Sequence, residues 1–477
     1  MYICVKIYPV KTQEDAVTDT QTRLTGPLEP VRSEDDFDLQ VVGRIPDALA
    51  GAYYRIGPNP QFDPQGPYFP FLGDGMIHAF FLEPNKDGGR ARYCNRWVRT
   101  PKWHAENKAG RLLFYGPGTP TDPSAADVNP SPANTHIVYH AGKLMALQEH
   151  GEPFELDPQD LERGAFMNTG GKRTAHPKID PETGEMVWFA YFAGSERFSN
   201  LIDYGVTDKS GNVTRRDRFA APYAAIMHDF MVTRNYVMFP VTPLAADPAR
   251  AMKGMPPVAW EPTKGAFVGV MKRNANVDSI HWFEIEPKFF LHSMNAWEDG
   301  EKIHCEVTEF PHPPGVFPNA DGSPGRLPEG RLDRWTIDLA GKTNRAKREQ
   351  VDDLDSDLPR VDERFAGLPY RHGWYAANIN GKYPMWYDAI AHIDLETGKR
   401  AVRMLDPWGA AGEPVFVARS ASAPEGDGYI LSVVYRAATN TSELLILNAQ
   451  DIAGEPAAVL KVPRCVPATA HGNFVAA

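Results

Sequence analysis

The chain has 477 residues and a formal charge of −11, with basic residues scattered among acidic ones, so it carries no electropositive footprint for a nucleic-acid backbone. Its 43 prolines and 40 glycines are spread along the whole length, which argues for many short elements joined by turns and against long helices or an extended linker. No apolar run approaches the roughly 18 residues that a membrane-spanning helix needs, and Cys4, Cys94, Cys305 and Cys465 form no CxxC pair. A thiolate metal site or disulfide framework is therefore not expected, and a reducing compartment, the cytoplasm, fits best.

Residues 1–35 are polar and read as an irregular N-terminal arm. Met1 to Val10 is interrupted by Lys6, is too short for a secretory h-region and is followed by no small-residue cleavage pattern. From residue 36 to 477 the pattern is that of one domain. Gly51-Ala-Tyr-Tyr-Arg-Ile-Gly57 is an aromatic strand running into a Gly-Pro-Asn-Pro turn, and Gly73-Asp74-Gly75 before an alternating run reads as a hairpin, with His78 an outward strand residue. Short strands follow at 143–148, 187–193, 236–241, 267–271, 280–285, 303–310, 334–339, 391–395, 429–435 and 443–447. The turn Asp-x-Glu-Thr-Gly occurs twice, at Asp180 to Gly184 and at Asp394 to Gly398. In each, Asp can bond its own backbone and Gly supplies a positive φ. Many short strands with regular turns mean a sandwich, barrel or propeller, and the length favours a propeller. No blade-type repeat motif is visible, and spacing does not give the number of blades. The segments 108–132, 243–264 and 311–328, rich in Pro, Gly and Ala, read as long loops that cap one end.

Four of the 14 histidines stand out by context. His176 sits just before the first Asp-x-Glu-Thr-Gly turn, where a rigid sheet can aim an imidazole. His228 and His292 lie in apolar, strand-like runs, and His471 is followed by Gly-Asn-Phe-Val. A single histidine so placed reads first as a hydrogen-bonded structural residue. A buried imidazole needs a partner, however, and four in like settings raise the alternative of a shared metal. None of the four is spaced at i, i+3 or i, i+4, so spacing alone does not decide. Glu149 and Glu413, each at the edge of a Gly/Pro turn, could orient such ligands through their second ring nitrogen, and singly both could be ordinary surface acids.

The motifs decide more. Gly51-Ala-Tyr-Tyr-Arg-Ile-Gly-Pro-Asn-Pro-Gln, Gly73-Asp-Gly-Met-Ile-His, Ala133-Asn-Thr, Thr174-Ala-His-Pro-Lys-Ile-Asp-Pro, Met227-His-Asp-Phe, His292-Ser-Met-Asn-Ala-Trp-Glu, Glu413-Pro-Val-Phe-Val and His471-Gly follow one another in a family's order. From about Leu39 to Val475 the chain resembles the carotenoid cleavage oxygenases, and within them the bacterial lignostilbene dioxygenase and isoeugenol monooxygenase branch. The resemblance implies an all-β, seven-bladed β-propeller with a loop-built cap over an axial metal site. It implies one Fe2+ on His176, His228, His292 and His471, backed by Glu149 and Glu413. The family's third glutamate aligns with Asp357, one methylene shorter, which implies a histidine held through a water or by a shifted strand, and a smaller contribution from Asp357. Four neutral ligands would leave octahedral positions open for O2.

The implied reaction is O2-dependent splitting of an alkene C=C into two carbonyl products. The implied substrate is a phenylpropenoid or stilbene of the isoeugenol, 4-vinylguaiacol or lignostilbene type. In such relatives a Lys directly before the glutamate at position 149, with a Tyr in the preceding loop, binds the substrate's 4-hydroxyl as a phenolate. This chain has Gln148 there and Tyr115 as the replacement in the loop, and Gln cannot stabilise a phenolate as a cation does. Two other readings stand beside this one: an apocarotenoid cleavage dioxygenase, and a propeller used as a hydrolase or binding scaffold. Asp247, Arg250 and Lys253 in segment 243–264 tilt the choice to a compact aromatic substrate.

Overall fold

The structure is a computed structural model that describes residues 26–64, 69–115, 122–196, 198–315, 317–323, 325, 329–381, 387–405, 409–467 and 470–477. Seven antiparallel sheets follow one another along the chain and pack face to face around an axis, as a seven-bladed β-propeller. The innermost strands line that axis: β1 (His136–His140), β2 (Lys178–Ile179), β3 (Met231–Val232), β4 (Phe289–Asp299), β5 (Asp355–Val361), β6 (Val415–Ala418) and β7 (Gly472–Ala476). Strands in the middle of a blade face a neighbouring blade on both sides. Met186–Ala190 is accordingly buried at every position and reads as a continuous apolar run. The outer strand Val213–Ala220 alternates exposed and half-buried residues and carries Arg215, Arg216, Asp217 and Arg218, charges that keep an edge from pairing with another chain.

Both ends of the described chain close the ring. Gly472–Ala476 lies innermost in the first blade, paired with Gly51–Arg55, and Gln40–Gly43 lies at the outer edge of the last blade, paired with Ala458–Lys461. The expected arm differs in its described part. Residues 26–35 are irregular but tied down: Val31 and Asn59 exchange two hydrogen bonds of 2.7 Å, and Glu34 pairs with Arg99 at 2.7 Å. Residues 1–25, and Cys4 with them, lie outside the described residues.

The Asp180 to Gly184 and Asp394 to Gly398 turns form as the sequence implies, with Gly184 at φ +72° and Gly398 at φ +66°. Gly73-Asp74-Gly75 does not make a hairpin. The strands Gly51–Pro58 and Gly75–Glu83 pair across the longer connection 59–74, and the Asp74 side chain is fully buried against Lys102 at 2.9 Å. His78 is buried rather than outward, with Nδ1 2.7 Å from the Tyr93 hydroxyl.

The three long segments do meet at one end. The Phe69 amide donates to the Tyr115 carbonyl, the Phe69 and Phe317 rings lie 6.3 Å apart, and the Trp260 amide donates to the Pro318 carbonyl. They are not all loop: α1 (Pro101–Ala109) leads into the first, and the second contains α2 (Pro248–Met252) and the hairpin Leu244–Ala246 with Val258–Trp260. Among the described residues no helix is long and apolar enough to cross a membrane.

Candidate metal centre

The four histidines sit at or near the starts of four of the innermost strands. His176 precedes β2 by two residues, His228 precedes β3 by three, and His471 immediately precedes β7. His292 lies inside β4 where the register breaks between Phe290 and Ser293, a bulge that re-aims the side chain toward the axis. His228 is thus in irregular chain and not in the strand that its apolar neighbours suggest.

One ring nitrogen from each of the four lies within 4.8 Å of the others, and His176, His292 and His471 are buried. The Nε2 atoms of His176 and His228 are 3.0 Å apart, and those of His228 and His292 are 3.1 Å apart. Three histidines turn Nδ1 to a carboxylate: His228 to Glu149 at 2.6 Å, His292 to Asp357 at 2.7 Å and His471 to Glu413 at 2.9 Å. Each of these Nδ1 atoms donates, so each Nε2 presents a lone pair inward. Lone pairs at this spacing repel unless a cation sits between them. With imidazole bonds of about 2.1 Å, ligands at right angles would stand about 3.0 Å apart and tetrahedral ones about 3.4 Å. The donor set therefore suits a first-row divalent ion, which these four imidazoles would hold.

Asp357 reaches His292 directly, without an intervening water. The shift lies in the strand: β5 breaks register between Asp357 and Arg360, with Leu358 at φ +56°, and Thr308 Oγ1 donates to Asp357 at 3.0 Å. Tyr191 donates to the second oxygen of Glu149 at 2.9 Å. Glu413 accepts from the Gly472 amide at 3.0 Å and lies 3.1 Å from the Arg360 guanidinium. Burial raises the carboxyls of Glu413 and Asp357, but Arg360 with His471 holds Glu413 well below the usual range, and His292 holds Asp357 below its ordinary value. Burial, reinforced by the neighbouring imidazoles, lowers His176 well below the histidine range and takes His471 to about 4. For His228, Glu149 outweighs burial and the shift is upward. Among the described residues no carboxylate backs His176.

Several supporting residues escape a reading of the sequence. Asp229, next to His228, accepts from the amide and hydroxyl of Ser293 at 2.8 and 2.7 Å and pairs with Lys178 at 2.7 Å, which ties the segments carrying three of the histidines together. His136 donates from Nδ1 to the Ala175 carbonyl at 2.7 Å, just before His176, and accepts from Asn473 at 3.1 Å. A side chain at Gly412 would overlap the Arg55 guanidinium, which itself donates to the Ala470 carbonyl at 3.2 Å. The signal in the sequence is limited to the adjacency of Asp229 to His228, because the partners are 39 or more residues away. A cavity of about 540 Å³ runs along the axis to His176, His292 and His471, lined with Lys178, Asp229 and Arg360 among others.

Gln148 is half-buried beside Glu149. Its Oε1 and the Ser131 Oγ are buried without a hydrogen-bond partner, and both lie within 3 Å of where a Cβ on Gly151 would stand. Tyr115 is half-buried in the cap, and among the described residues no polar contact joins it to Gln148.

Comparison with known proteins agrees along nearly the whole chain. Residues 28–476 match the family described as Retinal pigment epithelial membrane protein. The isoeugenol monooxygenase of Pseudomonas nitroreducens is 37% identical over 95% of this chain and 98% of its own. The lignostilbene-alpha,beta-dioxygenase isozyme III of Sphingomonas paucimobilis is 34% identical over 94% of this chain and 96% of its own. The crystal structure of lignostilbene dioxygenase from Pseudomonas brassicacearum superposes with a TM-score of 0.90 at 30% identity, covering 97% of this chain and all of that one.

Proposed function

This chain belongs to the carotenoid cleavage oxygenase family, the alkene-cleaving oxygenases, and we propose that His176, His228, His292 and His471 hold Fe2+ for the O2-dependent splitting of an aromatic alkene into two carbonyl fragments. The observation that carries the iron site is the convergence of four imidazole nitrogens within 4.8 Å of one another, three of the rings fixed from behind by carboxylates. Imidazole suits ferrous iron, and the bound ion would supply an open, redox-active position where O2 and the alkene's electrons meet. The names of the relatives favour a phenylpropenoid or stilbene over an apocarotenoid.

The chain's own groups do the positioning. Glu149, Asp357 and Glu413 keep a proton on each Nδ1 and hold the ring planes. Gln148 and Ser131 offer two unpaired oxygens that suit a ligand hydroxyl, which would donate to Gln148 Oε1 and stay protonated because the Gln148 amide carries no charge. Tyr115, half-buried in the cap, is a second candidate contact. Buried, unpaired Cys94, Cys305 and Cys465 are compatible with a reducing compartment, the cytoplasm.

The test is metal analysis of purified protein, followed by O2 uptake and product identification with isoeugenol, 4-vinylguaiacol, resveratrol and an apocarotenoid. Stoichiometric iron with an aromatic aldehyde from one of the first three is the expected result. Turnover of the apocarotenoid alone would reverse the substrate class, and calcium or no bound metal would remove the oxygenase reading.

A further inference from the structure

The three carboxylates behind the histidines are not equivalent. Glu149 is held by a neutral hydroxyl, Tyr191, and Asp357 by another, Thr308, whereas Glu413 alone meets a cation. That cation, Arg360, is buried on β5. Besides Glu413, it donates to the Gly472 carbonyl at 3.2 Å and to Asn473 Oδ1 at 2.7 Å, both on the strand that His471 opens. Its remaining ionic partner, Glu363, has a side chain 59% exposed and is screened by solvent. Lys178 and Asp229 cancel each other.

Around the four imidazoles, Arg360 offsets the charge of Glu413; Glu149 and Asp357 meet hydroxyls and their histidines, and the buried Arg55, bonded to the Ala470 carbonyl, stands as a second guanidinium on the His471 side. Loss of the Arg360 charge would make the surroundings of the four imidazoles one unit more negative. A buried arginine costs desolvation and is weak evidence of stabilisation in its own right, and a hydrogen bond between β5 and β7 needs no charge.

We propose that Arg360 is a positioning residue whose charge tunes the centre: by neutralising Glu413 it favours the ferrous over the ferric state, while its hydrogen bonds hold the His471 strand. This rests on the iron reading above. Without the guanidinium, Glu413 would put a full extra negative charge behind His471 in a poorly screened interior, which stabilises the higher oxidation state.

The experiment compares wild type, Arg360→Gln, Arg360→Lys, Glu413→Gln and the double variant Arg360→Gln/Glu413→Gln, all loaded with iron. Iron stoichiometry is measured first, then the ferric/ferrous midpoint by mediated titration read from the ferric paramagnetic resonance signal. The expected result is a lower midpoint in Arg360→Gln, with the ferric-to-ferrous ratio at fixed potential rising on the order of tenfold. Arg360→Lys should return it close to wild type, Glu413→Gln should raise it, and the double variant should fall back near wild type. If Arg360→Gln does not fold, the double variant, which leaves no unpaired buried charge, carries the test against Glu413→Gln alone. A midpoint that ignores charge, with Lys behaving like Gln or the double variant like Glu413→Gln, overturns the proposal and leaves Arg360 a structural tie. Absence of iron from the wild type would instead overturn the iron reading itself, and this inference with it.

Discussion

The histidine centre and the side chain of Gln148 are neighbours in sequence and differ in how their acceptors are satisfied. At the centre three ring nitrogens have their carboxylates, and those carboxylates have further donors in Tyr191, Thr308, Gly472 and Arg360. One residue from Glu149, Gln148 Oε1 is buried with nothing to accept from, as is Ser131 Oγ. Buried polar atoms are normally satisfied, and Arg360 Nε and Thr174 Oγ1 near the centre share the exception with Gln148 Oε1 and Ser131 Oγ. A preassembled cage beside two unpaired oxygens is what an enzyme needs if its metal is resident and its substrate comes and goes.

The largest effect that would break this contrast is at the cage. Replacing any one of His176, His228, His292 or His471 by Ala should abolish iron retention, read by metal analysis after desalting. His312, whose Nδ1 lies 3.2 Å from the Pro313 carbonyl, should tolerate the same change. Retained iron in any of the four variants would remove that histidine from the set.

Next come the carboxylates. Glu149→Gln, Asp357→Asn and Glu413→Gln should each lower iron affinity or turnover by about 10–100-fold, with little change in thermal midpoint for the first two and a lower one for Glu413→Gln, which leaves buried Arg360 without its buried partner. The sequence ranks Asp357 below the two glutamates, but its 2.7 Å bond gives no reason for a smaller effect. Wild-type affinity in Asp357→Asn would restore the original ranking.

A smaller effect sharpens the contrast from the other side. Gln148→Lys should accelerate cleavage of a 4-hydroxy alkene several-fold and leave its 4-methoxy analogue unchanged, since only the former can give a phenolate for the ammonium to stabilise. Equal rates on both substrates in both proteins would show that Gln148 does not read the hydroxyl.

The smallest effect concerns stability with pH, away from the centre. Burial lowers His78 to about 3 and His392 to about 4, from the ordinary value of about 6.5. Between those values and about 6.5 the unfolded chain takes up protons that the folded one refuses, so stability is full above pH 6.5 and declines as pH falls toward 4. Urea midpoints of metal-free protein at pH 7 and pH 5 should differ in that sense, and by less in His392→Gln.

Strands were legible where both faces are buried: 236–241 matches its boundaries, and 303–310 begins one residue late. Alternation misled at His78, because a blade strand buries both faces, and the period of two that marks an outward residue carries no such meaning there. Local chemistry predicted the turns Asp180 to Gly184 and Asp394 to Gly398, but not the fate of Gly73-Asp74-Gly75, which is set by Lys102 on α1 nearly thirty residues away. The same holds at the site. Four histidines could be singled out by context and resemblance, while Arg360, Asp229 and Lys178 act through pairs that only the closed ring brings together.

His471 rides on the strand that closes the propeller, and Ala470 is bonded to Arg55 across 415 positions of sequence. Contacts of such separation are among the last that a folding chain can afford. Until Gly472–Ala476 has docked beside Gly51–Arg55, no more than three of the four imidazoles can be in place. During synthesis a ribosome will therefore have passed residue 476 before a complete cage exists, and whatever metal the four imidazoles hold is captured only by a fully wound ring.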